Sequence, residues 1–200
     1  MKWPISSIIG IIIVPISLIF ILISYSFFPT YFSPLQNYMS DLGNYKYNPN
    51  GAFYFNIGTI VGGCLVIVFF IGLYSFYNKK NIDTYLLLIL QIIGIFSGFT
   101  SIMAGVFSED YWDMHIFWSV WMFVAGILTS LIGGFFLYRQ DDSIKIFAFY
   151  NIFASFLSII FLCILSYGLF VFEWFIFSIS LINTVLTSLN YAHIYKEREK

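Results

Sequence analysis

Six apolar stretches, each long enough to cross a bilayer as a helix, alternate with short polar segments along the chain. A hydrocarbon layer about 30 Å thick takes roughly 20 helical residues to cross. The pattern predicts helices at about 3–28, 51–77, 84–107, 114–138, 146–168 and 172–195. The long loop near residues 29–50 carries punctuation of its own. Ser33 stands as an N-cap, Pro34 at the first helical position and Gly43 as a stop, while Leu35, Tyr38, Met39 and Leu42 recur at i, i+3, i+4 and i+7. This predicts a short amphipathic helix in the first outer loop, with Asn37, Ser40 and Asp41 on its polar face and Asn44 just beyond. The fold class expected is all-α: a polytopic membrane protein in which residues 1–200 form a single six-transmembrane-helix bundle.

Composition agrees, since 60% of the residues are hydrophobic and 10% charged, against about a quarter charged in soluble domains. Charge adds orientation. Lys2, Lys79, Lys80, Arg139, Lys145, Lys196, Arg198 and Lys200 share one side of the six-helix plan, and Lys46 stands opposite. The positive-inside rule then predicts a multi-pass protein of the cell membrane with both termini cytoplasmic. Trp112, Trp118, Trp121 and Trp174 fall at the outer interface, and Trp3, Tyr77, Tyr85, Tyr138 and Tyr195 at the inner one, as aromatic belts do. The first stretch is longer than a signal-peptide h-region and no A-x-A pattern follows it, so it reads as a retained helix. A net charge of −1 without an outward basic patch gives no reason to expect nucleic-acid binding. Cys64 and Cys163 both fall inside predicted helices, which excludes a disulfide in the outer loops.

Small residues recur at packing spacing: Gly58 and Gly62, then Gly94, Gly98, Ser101 and Gly105, then Gly126, Ser130 and Gly134. Such stripes let helix backbones approach closely in lipid. Ser180, Asn183, Thr184, Thr187 and Asn190 make a polar stripe on the sixth helix, which should turn inward and bond across helices. With no ionisable residue at mid-membrane, an ion-coupled pump lacks its carboxylates.

The outer face gathers the candidate chemistry: Ser40, Asp41, Asn48, Asn56, Asp113, His115 and Glu173. Helices two, four and six begin there, so their free amides and positive dipole ends favour anionic groups. Asp113 and Glu173 act either as simple caps of these ends or, with Asp41, His115, Ser40 and Asn56, as the wall of one lipid-headgroup pocket. His115 with carboxylates is a weak zinc pattern, because H-E-x-x-H is missing and residues two apart diverge on a helix. Ser40, Asp41 and a distant His115 could form a nucleophilic set, although no G-x-S-x-G elbow accompanies them. Neither a metal nor another cofactor is expected. His193 lies near the inner end of the sixth helix.

Tyr38-Met39-Ser40-Asp41-Leu42-Gly43, then Asn48-Pro49, then Phe55-Asn56 resembles the DUF998 membrane-protein family and, more distantly, the Frag1/DRAM/Sfk1 group. Gly105-Val106-Phe107 followed by His115, and Gly168-Leu169-Phe170 followed by Glu173, resemble two further family segments, with Trp174 standing where a basic residue is expected. The resemblance implies six membrane helices without an assigned reaction, and its distant branch implies lipid-anchor remodelling or lipid organisation. The leading expectation is a protein that binds or organises membrane lipids through an outer-face polar pocket. An intramembrane hydrolase or transferase using His115 with Asp41 or Glu173 is the second. A structural subunit, partnered with itself or with another membrane protein, is the third.

Overall fold

Lipid offers no partner to a bare amide or carbonyl, so each apolar stretch closes its backbone hydrogen bonds within itself as a helix. The computed structural model describes residues 3–77, 83–165 and 170–199. Among these residues there are six membrane-length helices and no strand: α1 (Ile5–Ser26), α2 (Ala52–Gly72), α3 (Thr84–Val106), α4 (Trp112–Arg139), α5 (Lys145–Leu165) and α6 (Val171–Glu197). They agree with the predicted stretches to within a few residues. A 3₁₀ turn, Leu73–Phe76, prolongs α2. The expected end of the fifth helix at 166–168, the Gly168-Leu169 segment and the basic residues Lys2, Lys79, Lys80 and Lys200 lie outside the described residues.

Each helix packs on the next in sequence, and α1 also packs on α6, so the bundle is a closed ring. Contact across the ring is slight, with α4 touching α6. At the end bearing the chain termini, an aromatic plug fills the middle. Tyr191 is 1% exposed and its ring meets Phe69, Phe76 and Phe136 at centroid distances of 6.1, 5.4 and 6.3 Å. Around it, Leu73, Leu87, Leu90, Leu137 and Ile194 are fully or almost fully buried.

The termini face is tied down by polar locks. Asn190 on α6 accepts from Ile144 N (2.9 Å) and donates to Ser143 Oγ (3.1 Å) and Ile144 O (3.2 Å), holding the turn between α4 and α5. Arg198 pairs with Asp142 at 2.9 Å and Arg139 with Asp83 at 2.8 Å. Asp83 also caps α3 by accepting from Leu86 N at 3.0 Å.

The opposite, loop face differs from its expected form. Instead of an amphipathic helix over residues 33–43, the chain makes one turn after Ser33, unwinds, and forms a four-residue 3₁₀ turn, Ser40–Gly43. The start signal is real, because Ser33 O accepts from Gln36 N and Asn37 N, both at 2.9 Å, and Ser33 Oγ from Leu35 N. The continuation fails because the apolar positions part company. Leu42 is wholly buried and Met39 nearly so, packed with Phe32 and Phe55, while Leu35 stays 74% exposed. Burial of Met39 and Leu42 outweighs the few hydrogen bonds a longer surface helix would add.

Candidate functional site

The loop of residues 27–51 caps the ring, and asparagine amides hold it there. Asn48 is fully buried and donates to Ser24 O (3.1 Å), Ser24 Oγ (3.0 Å) and Leu42 O (3.0 Å), while its Oδ1 accepts from Gly51 N at 3.1 Å. Ser24 Oγ in turn donates to Leu42 O at 3.0 Å. Asn56, on the first turns of α2, donates to Gly43 O at 2.9 Å. Gly43 has to be glycine here, since a Cβ would lie 2.5 Å from Asn56 Oδ1 and 2.7 Å from the Phe55 ring.

Carboxyl groups receive the rest of the cap. Glu173, in the first turn of α6, accepts from Met39 N at 2.7 Å and from Ser40 through both its amide and its hydroxyl. Trp174 Nε1 donates to Asn37 O at 3.2 Å, so this tryptophan is a strut under the cap. Between α3 and α4, Glu109 accepts from Asn44 Nδ2 at 3.1 Å and Asp110 from Tyr45 N at 2.9 Å. Glu109 also hydrogen-bonds to Asp41, which takes Asn37 Nδ2 at 3.0 Å. Two carboxyls in contact share a proton readily. Burial first, and the Asp41 carboxylate second, push Glu109 up to about 8, against the lowering effect of the Asn44 amide. Burial also raises the Tyr38 phenol, helped by Glu173, Asp41 and Glu109. Asp41 and Glu109 line a cleft of about 600 Å³ on the loop face together with Tyr38, Tyr47, Trp112 and Lys46.

Beneath the cap lies a cavity of about 300 Å³ that runs through the ring. Its mouth is made by Met39, Ser40, His115 and Glu173, its middle by Ser130 and Asn183, and its floor by Tyr191 of the aromatic plug. The glycine stripes explain why space remains. Gly63, Gly94, Gly98 and Gly105 are close approaches, where a Cβ would fall 2.2–2.7 Å from a neighbouring atom. Gly126 would meet nothing within 4 Å, and Gly62 only Ser17 Oγ at 3.9 Å. These last two line the cavity and keep it open.

The profile of the family described as protein of unknown function (DUF998) matches residues 11–189. The chain belongs to this family. No curated protein and no solved structure matches it. In this family member the motif positions of the first loop are the docking contacts of the cap: Asp41, Gly43, Asn48 and Asn56 each bond or abut the structure around it. The segment Gly105-Val106-Phe107 with His115 is likewise one unit, since Phe107 O accepts from His115 Nδ1 at 2.8 Å.

Of the residues expected at one pocket, the structure brings Ser40, His115 and Glu173 to the cavity mouth. Asp41 lies beside it in the outer cleft, and Asn48 and Asn56 bond the cap to the helix ends. Asp113 is exposed on the first turn of α4, turned away from buried His115 as the two-residue spacing requires. Among the described residues no hydrogen bond joins His115 to Ser40, Asp41 or Glu173, so nothing in the geometry prepares a nucleophile. His193 sits half-buried towards the termini end of α6. Glu109 and Asp110 were absent from the sequence reading. Their signal was available: the loop-face segments carry five acidic residues, Asp41, Glu109, Asp110, Asp113 and Glu173, against the single base Lys46.

Proposed function

We propose that this multi-pass membrane protein binds a membrane lipid inside its helix ring, with the polar end at the capped mouth and the apolar part against the bundle interior. Gly126 carries the reading. A glycine in mid-helix costs about 1 kcal/mol relative to alanine, and here no neighbour needs the room it leaves. The space is within the range of small-molecule pockets, mostly apolar, and ends in a few convergent polar groups. The distant resemblance to proteins of membrane lipid organisation points the same way. The basic residues of the termini face support a cell-membrane orientation with both ends in the cytoplasm, which puts the cap outside and the mouth at the outer leaflet. Partners other than lipid are not needed by this reading.

Native mass spectrometry of the protein released from native-like bilayers tests it. A lipid adduct on the wild type, reduced at least tenfold in Gly126→Leu at unchanged folding, is the expected result. An equal adduct on both, or none on either, contradicts the reading.

A further inference from the structure

The cavity is long and narrow, and the helices around it give its dimensions. On α6 its lining runs from Glu173 at the mouth to Tyr191 at the floor, 18 positions apart or about 27 Å. On α4 it runs from His115 to Gly133, the same distance. The hydrocarbon layer is about 30 Å thick, so the cavity passes well beyond the middle of the bilayer. A volume of about 300 Å³ spread over that length leaves on the order of 11 Å² for the centre of a water molecule, a bore about 4 Å across. Two hydrocarbon chains side by side need about 4 Å between their axes alone, and carbon groups are bulkier than water. One chain fits such a bore and two do not.

The glycines show that the bore stays open far below the mouth. Gly126 lies 11 positions beyond His115, about 16 Å down, and a Cβ there would meet nothing within 4 Å. A ligand confined to the mouth would never reach it. At Gly133, near the floor, an added Cβ would come no closer than 3.7 Å to Leu90 Cδ1, an ordinary contact. Below that depth the space ends, because the Tyr191 ring is held among Phe69, Phe76 and Phe136, with Leu137 and Ile194 buried around them. The bore is blind.

We infer that the ring takes a single-chain lipid, with one extended chain in the bore, and that the Tyr191 plug sets the greatest chain length it accepts. The inference rests on the lipid-binding reading above and narrows it to a ligand class. An extended chain advances about 1.2 Å per bond, as three backbone bonds do in about 3.6 Å, so about 22 bonds separate the polar atom at the mouth from the last methyl group. A longer chain buckles against the plug, and overpacking of that kind weakens binding by about fivefold or more. A shorter chain leaves wall atoms without partners.

Monoacylglycerols of 12, 16, 20 and 24 carbons test it, together with dihexadecanoylglycerol, which puts two chains on the same head. Each is held at one mole fraction in phosphatidylcholine nanodiscs containing the purified protein, and adducts are read by native mass spectrometry. The 16- or 20-carbon probe should give the strongest adduct, at least fivefold above the 24-carbon probe and above dihexadecanoylglycerol. Tyr191→Ala should raise the 24-carbon adduct at least fivefold relative to the 20-carbon one. Gly133→Leu, which fills open space near the floor, should favour 16 carbons over 20 by as much. An equal diacylglycerol adduct, a profile flat in chain length, or an unmoved profile in every variant that folds overturns the inference and leaves lipid binding intact. If no monoacylglycerol forms an adduct the inference also falls, and the lipid-binding reading is decided separately by the adduct from native-like bilayers and its loss in Gly126→Leu.

Discussion

The cap and the cavity wall use the same small polar residues in different proportions of long-range and local bonding. In the cap, Asn48, Asn56, Asn44 and Ser24 bond to other segments, 6 to 65 residues away in sequence, and nearly every donor meets a distant acceptor. In the wall, Thr59, Thr129, Ser180 and Thr184 bond three or four residues back along their own helix, while Ser101, Ser130 and Asn183 bridge helices. A long-range hydrogen bond fixes one element on another. A local one satisfies the hydroxyl and leaves the space beside it unclaimed. Polarity in the cap is therefore architecture throughout, whereas the wall mixes the two uses: Ser101, Ser130, Asn183 and Thr187 bond between helices, and the locally bonded hydroxyls leave the space beside them open.

That contrast breaks most visibly at Asn48. Asn48→Ala removes four hydrogen-bond contacts from a fully buried position and cuts the tie between α1 and the loop, so a loss of about 2–4 kcal/mol is expected, read as a lower unfolding temperature and faster amide exchange over residues 27–51. Next come paired glycine replacements. Gly63→Leu should destabilise by more than about 2 kcal/mol, because its Cβ would fall 2.6 Å from Gly98 O, whereas Gly126→Leu should leave thermal stability equal or higher and abolish ligand retention. Loss of stability in both would show that Gly126, too, is a packing position.

The Glu109 carboxyl supplies a smaller, pH-dependent effect. Its value is about 8 when the cap is docked and returns towards 4.5 when the loop is solvated. The docked state then holds the extra proton between those limits. Cap stability is full below about 4.5 and is lost as pH rises through about 8. Exchange over residues 40–46 should quicken from pH 6 to pH 9 beyond the intrinsic base-catalysed rate, and Glu109→Gln should flatten that excess. The Asp41 and Glu173 carboxyls and the Tyr38 phenol face the same spot, so repulsion grows in the same direction. The smallest effect belongs to Asp113. Exposed at the start of α4, Asp113→Asn should change stability by no more than about 0.5 kcal/mol and ligand retention not at all, as judged by unfolding temperature and adduct mass.

The six helices were legible in the sequence because lipid leaves an apolar stretch of that length one stable conformation. The closed ring was not, since short loops favour sequential neighbours without saying whether the last helix meets the first. Ser33 and Pro34 correctly marked a turn, but the periodicity of Leu35, Tyr38, Met39 and Leu42 misled, because tertiary burial took two of those residues inward and left Leu35 outside. His115, Ser40 and Glu173 were readable as loop-face polar residues. Their partition from Asp41, Asn48 and Asn56 depends on which helix end each one meets, and spacing along the chain does not encode that. The glycines show the same limit: Gly126 and Gly134 belong to one stripe, yet a Cβ at Gly134 would fall 2.7 Å from Ile152, and one at Gly126 faces open space.

The central claim is that a lipid sits inside the ring, with its polar end at the capped mouth. Photolabelling with a single-chain lipid bearing a diazirine in its chain, followed by peptide mapping, addresses it most directly. Labels on cavity residues such as Gly126, Ser130, Asn183 and Thr187, competed by the same lipid without its diazirine and lost in Gly126→Leu, are the predicted result. Labels confined to bilayer-facing residues such as Leu22 and Phe153, and indifferent to both, would contradict it.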